Sequence, residues 1–271
     1  MNQNSNFFSV EETKDMQEFL ANGFIVKSVS SFSDMQKLID FIITKTTEYL
    51  GSFYNEKDIL NNLHNYVKKD ELNDLRIHII NCINGESWIR ETYFKLAKKY
   101  IFSIVGNEVA MQVRLNLSIQ MPGDSGSLLP VHSDTWSGDS PFEIVVWLPL
   151  VDCYRTKSMY LLKNDNADAI ESIIFDKEKD GIPDSETIFQ KIKHQIRFIE
   201  IKKGQILLFN QNLPHGNRIN EESETRWSIN CRFKGVFTPY ADKKLGEFFE
   251  PITIRPASYI GMQQQIKRDK N

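Results

Sequence analysis

The sequence predicts an α+β protein in which a helical N-terminal part supports a sandwich or barrel of short strands. Three observations predict it. Residues from about 11 to 106 space their apolar side chains at three and four, the period of amphipathic helices. After Gly106 the spacing turns to strict alternation. The later strand candidates are short, close together and separated by Gly, Pro and Asp, which is the pattern of a sandwich or barrel with the helical part as a covering layer.

Taken in order, "GFIVKSVSSF" (23–32) reads as a short strand. "SDMQKLIDFIITKTTEYLG" (33–51) reads as a helix with Ser33 as its N-cap, with Met35, Leu38, Ile39, Ile42 and Ile43 on one face and Gly51 as its stop. Ile59 to Val67 and Glu71 to Ile83 carry weaker helical spacing. "GESWIRETYFKLAKKYIFSIVG" (85–106) is a stronger case, built on Trp88, Ile89, Tyr93, Leu96 and Ala97. In "MQVRLNLSIQMP" (111–122), Val113, Leu115, Leu117 and Ile119 alternate with Arg114, Asn116, Ser118 and Gln120, as in a single strand with one buried face. Further strands are expected at Phe142–Leu150, Ser158–Leu162, Phe198–Ile201, Gln205–Phe209 and Arg226–Phe237. Residues 163–197 interrupt them with charged, helical sequence, and an insertion of that size between strands suits a lid or binding loop. The polar "MQQQIKRDKN" is expected to fray. We therefore read one domain over 1–271: helical support at 1–106, a strand core at 107–237 containing the insertion, and an extension at 238–271.

Bulk properties narrow the function classes. Of 271 residues, 41% are apolar and 25% charged, the composition of an ordinary globular protein. Net charge is −3, from 33 basic and 36 acidic residues, with no basic face to suit nucleic acid. Neither a secretory signal pattern nor a membrane-spanning apolar run is present, so a cytoplasmic protein is expected. Three scattered cysteines, Cys82, Cys153 and Cys231, suggest buried thiols, not a disulfide framework.

The chemistry gathers around "LLPVHSDTW" (128–136). On a strand, His132 and Asp134 point the same way and Ser133 points away, so an imidazole and a carboxylate can meet at one point. A His-x-Asp triplet also arises by chance, so context has to decide. His215, in "GQILLFNQNLPHGNRI", is the candidate third ligand. Two neutral histidines and a carboxylate on one face of an octahedron leave three positions open, which suits Fe(II) binding a chelating co-substrate together with O2; a structural zinc site is closed by four ligands. Eleven residues on, Arg226 and Ser228 share one face of a strand. A guanidinium fork and a hydroxyl there can hold a carboxylate, as the distal end of 2-oxoglutarate requires.

The ordered set His132-x-Asp134, His215 and Arg226 resembles the Fe(II)/2-oxoglutarate-dependent dioxygenases, and among them the phytanoyl-CoA dioxygenase-like branch. "GFIVKSV", "VVWLPLVD" and "GQILLFNQNLPHG" agree with it, while "SLLPVHSDTW" and "KSMYLL" are similar to oxygenases of bacterial carbohydrate-biosynthesis gene clusters. The resemblance implies a double-stranded β-helix, or jelly roll, with His132, Asp134 and His215 as iron ligands and Arg226 as the anchor of the co-substrate 2-oxoglutarate. It also implies oxidative decarboxylation to succinate and CO2, coupled to hydroxylation of a small polar or sugar-derived molecule, such as a nucleotide-linked sugar. Retention of Asp134 argues against the related halogenases. The sequence departs from the family at "KSMYLLKNDNAD", where Gly- and Pro-rich sequence ending in a Ser-His pair is usual. Asn116 and Gln120 on the strand before His132, and Trp147 on the strand after it, are expected to contact 2-oxoglutarate together with Ser228. Arg114, Arg155, Arg218 and Arg232 are candidates to hold an anionic substrate. His64, His78 and His194 are read as ordinary surface or core histidines. Two alternatives stand beside this reading: an oxygenase acting on an amino acid or protein side chain, and a metal-free jelly-roll carbohydrate binder.

Overall fold

The polypeptide opens on a helix whose start is written into its first turn. In the computed structural model, which describes residues 7–162 and 184–268, α1 (Val10–Asn22) begins at Ser9. Its hydroxyl accepts from the Glu12 amide, and the Glu12 carboxylate accepts from the Ser9 amide, a reciprocal capping box. Gly23 ends the helix at φ 77°, where a Cβ would also lie 2.7 Å from Leu213, so only glycine can turn the chain into β1 (Phe24–Ser28). The next helix, α2 (Phe32–Leu50), is capped by Ser31 rather than Ser33: Ser31 is extended and accepts from the Asp34 amide, whereas Ser33 is already helical. Met35, Leu38, Ile39 and Ile42 are buried as their spacing predicts, and Ile43 is half-buried beside them. A short α3 (Glu56–Leu60) and α4 (Leu72–Gly85) follow, then α5 (Ser87–Val105), whose Tyr93, Leu96 and Ala97 are buried against the sheet. The Tyr93 hydroxyl donates to the Val146 carbonyl at 2.7 Å, which fixes α5 on the sheet's outer face.

Two antiparallel sheets form a double-stranded β-helix. The larger contains β1, β2 (Val109–Gln112), β3 (Asn116–Gln120), β4 (Glu143–Pro149), β7 (Gln205–Asn210), β9 (Arg226–Gly235) and β10 (Phe249–Thr253). The smaller contains β5 (Met159–Leu162), β6 (Ile196–Phe198) and β8 (His215–Asn217). The order in the larger sheet is β1-β7-β4-β9-β2-β10, with β3 also paired to β9. One apolar cluster runs from α2, α4 and α5 through the strands, including Ile39, Ile79, Trp227, Ile229 and Phe233.

Several sequence expectations shift. The single strand expected over 111–122 is broken into β2 and β3, because Val113 donates to the Phe248 carbonyl and Leu115 to the Asn84 side chain, not to a ladder partner. Val113 is correspondingly exposed. The strand expected at Phe198–Ile201 sits earlier, as β6, and Ile201 keeps only a bridge to Cys153. Phe249–Thr253 adds a strand unmarked by alternation, and the tail expected to fray instead lies largely in a C-terminal helix, α7 (Pro256–Arg268). Most of the expected lid, 163–183, lies outside the described residues. Its described end is α6 (Ser185–Ile192), capped by Asp184 and packing Ile188 and Ile192 on Tyr160 and Leu162 of the smaller sheet. All three cysteines are free. Among the described residues, no helix is long and apolar enough to cross a membrane.

Candidate metal centre

His132 and His215 are brought together by the backbone before their side chains act. Each donates its amide to the other's carbonyl, at 3.0 and 2.8 Å, so they form one hydrogen-bonded antiparallel pair with both rings on the same side. The ring centroids lie 4.2 Å apart. His132 Nδ1 bonds the Pro130 carbonyl at 2.9 Å and His215 Nδ1 bonds the Leu213 carbonyl at 2.8 Å. A carbonyl only accepts, so both Nδ1 atoms carry the hydrogen and both Nε2 lone pairs are left for a ligand. Burial, with His132 beside it, pushes His215 down to about 4, which keeps it neutral at physiological pH.

Asp134 arrives differently from the strand geometry expected of it. It begins a 3-10 turn, Asp134–Ser137, and the buried Ser133 hydroxyl holds that turn to the Gln211 and Asn212 carbonyls at 3.1 Å. Ser133 points away from the histidines, as expected, and the carboxylate of Asp134 points toward them: Oδ1 is 3.8 Å from His132 Nε2. Oδ2 is taken by Arg232 Nη2 at 2.9 Å, leaving Oδ1 to act as a one-oxygen ligand. Ligand atoms of the three residues lie within 4.8 Å of one another. That is close to the roughly 4 Å that two donors about 2.1 Å from one ion can span.

The triad faces a cavity of about 450 Å³ whose walls include Trp147, Met159 and Phe209 on the apolar side. Its polar wall is a cross-strand ladder. In the register of β3 with β9, Asn116 opposes Asn230, Ser118 opposes Ser228 and Gln120 opposes Arg226. Asn116 donates to Asn230 at 3.0 Å and lines the cavity, and Trp147 opposes Asn230 from β4. Arg226 is buried and lines the cavity; Nη2 donates to Ser118 Oγ at 3.1 Å, but Nε has no partner among the described residues. Ser228 is fully buried on the same face of β9 behind the cavity wall, and its hydroxyl also has no partner among the described residues. Desolvation lowers the guanidinium to about 10. Gln120 does not line the cavity. Its amide donates to the Arg218 carbonyl at 2.6 Å, while its Oε1 is unpartnered among the described residues.

Of the four arginines considered for an anionic substrate, only Arg232 reaches the cavity, and there it serves Asp134. Arg114 bonds Asn81, Arg218 pairs with Glu186 at 2.6 Å, and Arg155 occupies a short turn at φ 42°. Two cavity residues carry no sequence signal that singles them out. Arg76 is one arginine on the weakly patterned α4. Asn217 pins the loop ahead of His132, its amide donating to the Ser127 carbonyl at 3.0 Å, and only its position two after His215 hints at a shared face.

No protein-family model and no curated protein matches the sequence. Solved structures share the architecture. The non-heme monooxygenase ThoJ, in its nickel complex, superposes with a TM-score of 0.56 over 94% of this chain and 97% of that one, at 13% identity. ThoJ in its apo form gives 0.57 over 94% and 96%, at 12% identity. EctD from S. alaskensis, in its apoform, gives 0.54 over 95% and 85%, at 15% identity. At these identities the likeness is one of fold, so function has to be argued from the site.

Proposed function

We propose that the protein, as one domain over residues 1–271, is an Fe(II)- and 2-oxoglutarate-dependent dioxygenase that hydroxylates a small polar or sugar-derived substrate. The observation that carries this is a single cavity holding both halves of such a site. At one wall, two imidazole lone pairs and one carboxylate oxygen face inward; at another lies a buried arginine with no anionic partner among the described residues. A buried cation left without a counter-charge is costly unless a ligand supplies one. Arg226 on the cavity wall is therefore where a dicarboxylate's far end fits, and the Ser228 hydroxyl, buried on the same face of β9, is the candidate second donor. Nickel in the ThoJ structure agrees with a divalent ion in this fold.

Fe(II), when bound, supplies the O2 chemistry that couples 2-oxoglutarate decarboxylation to substrate oxidation. The chain's own contribution is placement. The Pro130 and Leu213 carbonyls orient the His132 and His215 rings with Nε2 toward the cavity, and Arg232 keeps Asp134 a one-oxygen ligand. Arg226 and Ser228 fix the distal carboxylate, and Trp147, Phe209 and Met159 keep bulk water from the reacting face.

The test is an anaerobic titration of Fe(II) into apo-protein with 2-oxoglutarate, read by the weak visible charge-transfer band of the chelate. Wild type should develop the band, Asp134→Ala should lose it, and Arg226→Ala should require far more 2-oxoglutarate. If wild type shows neither band nor thermal stabilisation by either ligand, the site is not an oxygenase centre, and the carbohydrate-binder alternative becomes the reading to pursue.

A further inference from the structure

Three arginines, Arg76, Arg226 and Arg232, line the cavity that holds the triad, and each charge needs an answer. Arg232 has its answer inside the protein: Asp134 at 2.9 Å and Asp139 at 3.8 Å. Arg226 finds its answer in the distal carboxylate of 2-oxoglutarate under the proposed function. Arg76, half-buried on α4, forms no ion pair among the described residues. Nη2 donates to the Ile119 carbonyl at 3.0 Å and the Ser127 hydroxyl at 2.9 Å, and Nη1 reaches Asn73 Oδ1 only at 3.4 Å. All three acceptors are neutral. Asp124 acts on Arg76 only through space and through Ser127: its carboxylate accepts from the Gly126 amide at 2.8 Å and from the same Ser127 hydroxyl that Arg76 bonds, with no direct ion pair to Arg76 among the described residues. Desolvation therefore lowers the Arg76 guanidinium, and Asp124 offsets this only in part.

We propose that Arg76 binds an anionic group, phosphoryl or carboxylate, on the substrate to be oxidised. The substrate class is then an anion, not a neutral sugar or a lipid. The inference rests on the proposed function, because 2-oxoglutarate must occupy Arg226 for Arg76 to be the cation left over. The two neutral bonds from Nη2 hold the guanidinium plane in place, and the long bond to Asn73 leaves Nη1 available to an incoming oxygen. Metal centre and Arg76 border one cavity, so a substrate anchored at Arg76 presents its remainder to the triad.

The experiment uses the full chain loaded with Ni(II) and saturating 2-oxoglutarate at constant ionic strength. Inorganic phosphate is titrated in one arm and acetate in the other, by calorimetry and thermal shift. Wild type should bind one of the two saturably, and the responding arm says which group the substrate carries. Arg76→Gln should weaken that binding about tenfold or more, the loss of one charge-assisted contact, while 2-oxoglutarate affinity stays unchanged. Arg76→Lys, which keeps the charge but not the fork, should retain part of the affinity. Neither anion binding to a protein that does bind 2-oxoglutarate overturns the inference and leaves the proposed function standing. Loss of 2-oxoglutarate affinity in Arg76→Gln also overturns it, by moving Arg76 into the co-substrate's site. Wild type that fails to bind 2-oxoglutarate removes both. Should Arg76→Gln not fold, because it loses the bond to the Ile119 carbonyl, the wild-type and Arg76→Lys titrations decide.

Discussion

Replacing Arg226 by methionine separates what the buried cation costs from what it does. Its guanidinium is buried, Nε finds no acceptor among the described residues, and desolvation holds it at about 10. The folded value lies below the unfolded one, so the folded state disfavours the cation by a constant amount at all pH below about 10; the penalty fades only above that, as the folded form loses its proton first. At about 1.4 kcal/mol for each pH unit, the depression from arginine's ordinary value amounts to roughly 3 kcal/mol. Against it stands the bond from Nη2 to the half-buried Ser118 hydroxyl, whose loss costs about 1 kcal/mol. Methionine matches much of the arginine stem and carries no charge. Arg226→Met should therefore be more stable than wild type by about 2 kcal/mol without ligand, a Tm rise of roughly 5 °C for a chain of this size. The same variant should gain nothing from 2-oxoglutarate when loaded with Ni(II), whereas wild type gains. Urea melts and thermal scans near neutral pH, with and without both ligands, read the two effects separately. A ligand-free variant less stable than wild type would refute the idea that Arg226 is held at a cost, and a retained 2-oxoglutarate shift would refute its role as anchor.

Other expectations follow from the same geometry. Arg232→Met frees Asp134 Oδ2 and should weaken divalent-metal affinity by about 10–100-fold, measured by competition with a chromogenic chelator; unchanged affinity would mean the pair does not position the ligand. His215→Ala should abolish both the metal-dependent thermal shift and turnover, while His64→Ala, whose ring bonds Thr225 and lies outside both the triad and the cavity lining, should keep both. Glu143 is buried with both carboxylate oxygens unpartnered among the described residues, and burial, reinforced by Asp139, pushes it up to about 7. Its folded value exceeds the unfolded one, so its contribution is intact below about 4.5 and is lost as pH rises to about 7. Glu143→Gln should flatten that decline and be the more stable protein above it, by about 3 kcal/mol at most; parallel stability-pH curves for the two proteins would contradict this. Tyr93→Phe removes the hydroxyl that bonds the Val146 carbonyl and should cost about 1 kcal/mol in urea unfolding.

What the sequence made legible follows its periodicities. Helical spacing found the buried faces of α2 and α5, and alternation placed Ser228 on the face of Arg226, because those patterns are imposed locally by burial. Ser31 was harder to tell from Ser33, since both precede the apolar face and only the backbone angle selects the cap. The break between β2 and β3 was hidden because alternation continues across it while the hydrogen-bond partners change to Phe248 and Asn84, both remote in sequence. The site shows the same division. Residue types and order suggested His132, Asp134 and His215, yet the route differed: His132 and His215 meet as backbone partners, and Asp134 enters on a turn that Ser133 ties to Gln211. Arg76 and the pairing of Arg232 with Asp134 depend on contacts between separate elements, which no local pattern records.

Strand β9 has neighbours along both edges, and its two faces belong to different tasks. Arg226, Ser228, Asn230 and Arg232 alternate with Trp227, Ile229, Cys231 and Phe233, the latter all buried in the main apolar cluster. One inserted or deleted residue would turn every following side chain over, sending the core residues into the cavity and the arginines into the helical layer. Selection can therefore change side chains along β9 but not its length by one. Arg76 on α4 and the loop held by Asn217 are under no such reading frame, and drift in substrate preference should accumulate there while the strand stays fixed.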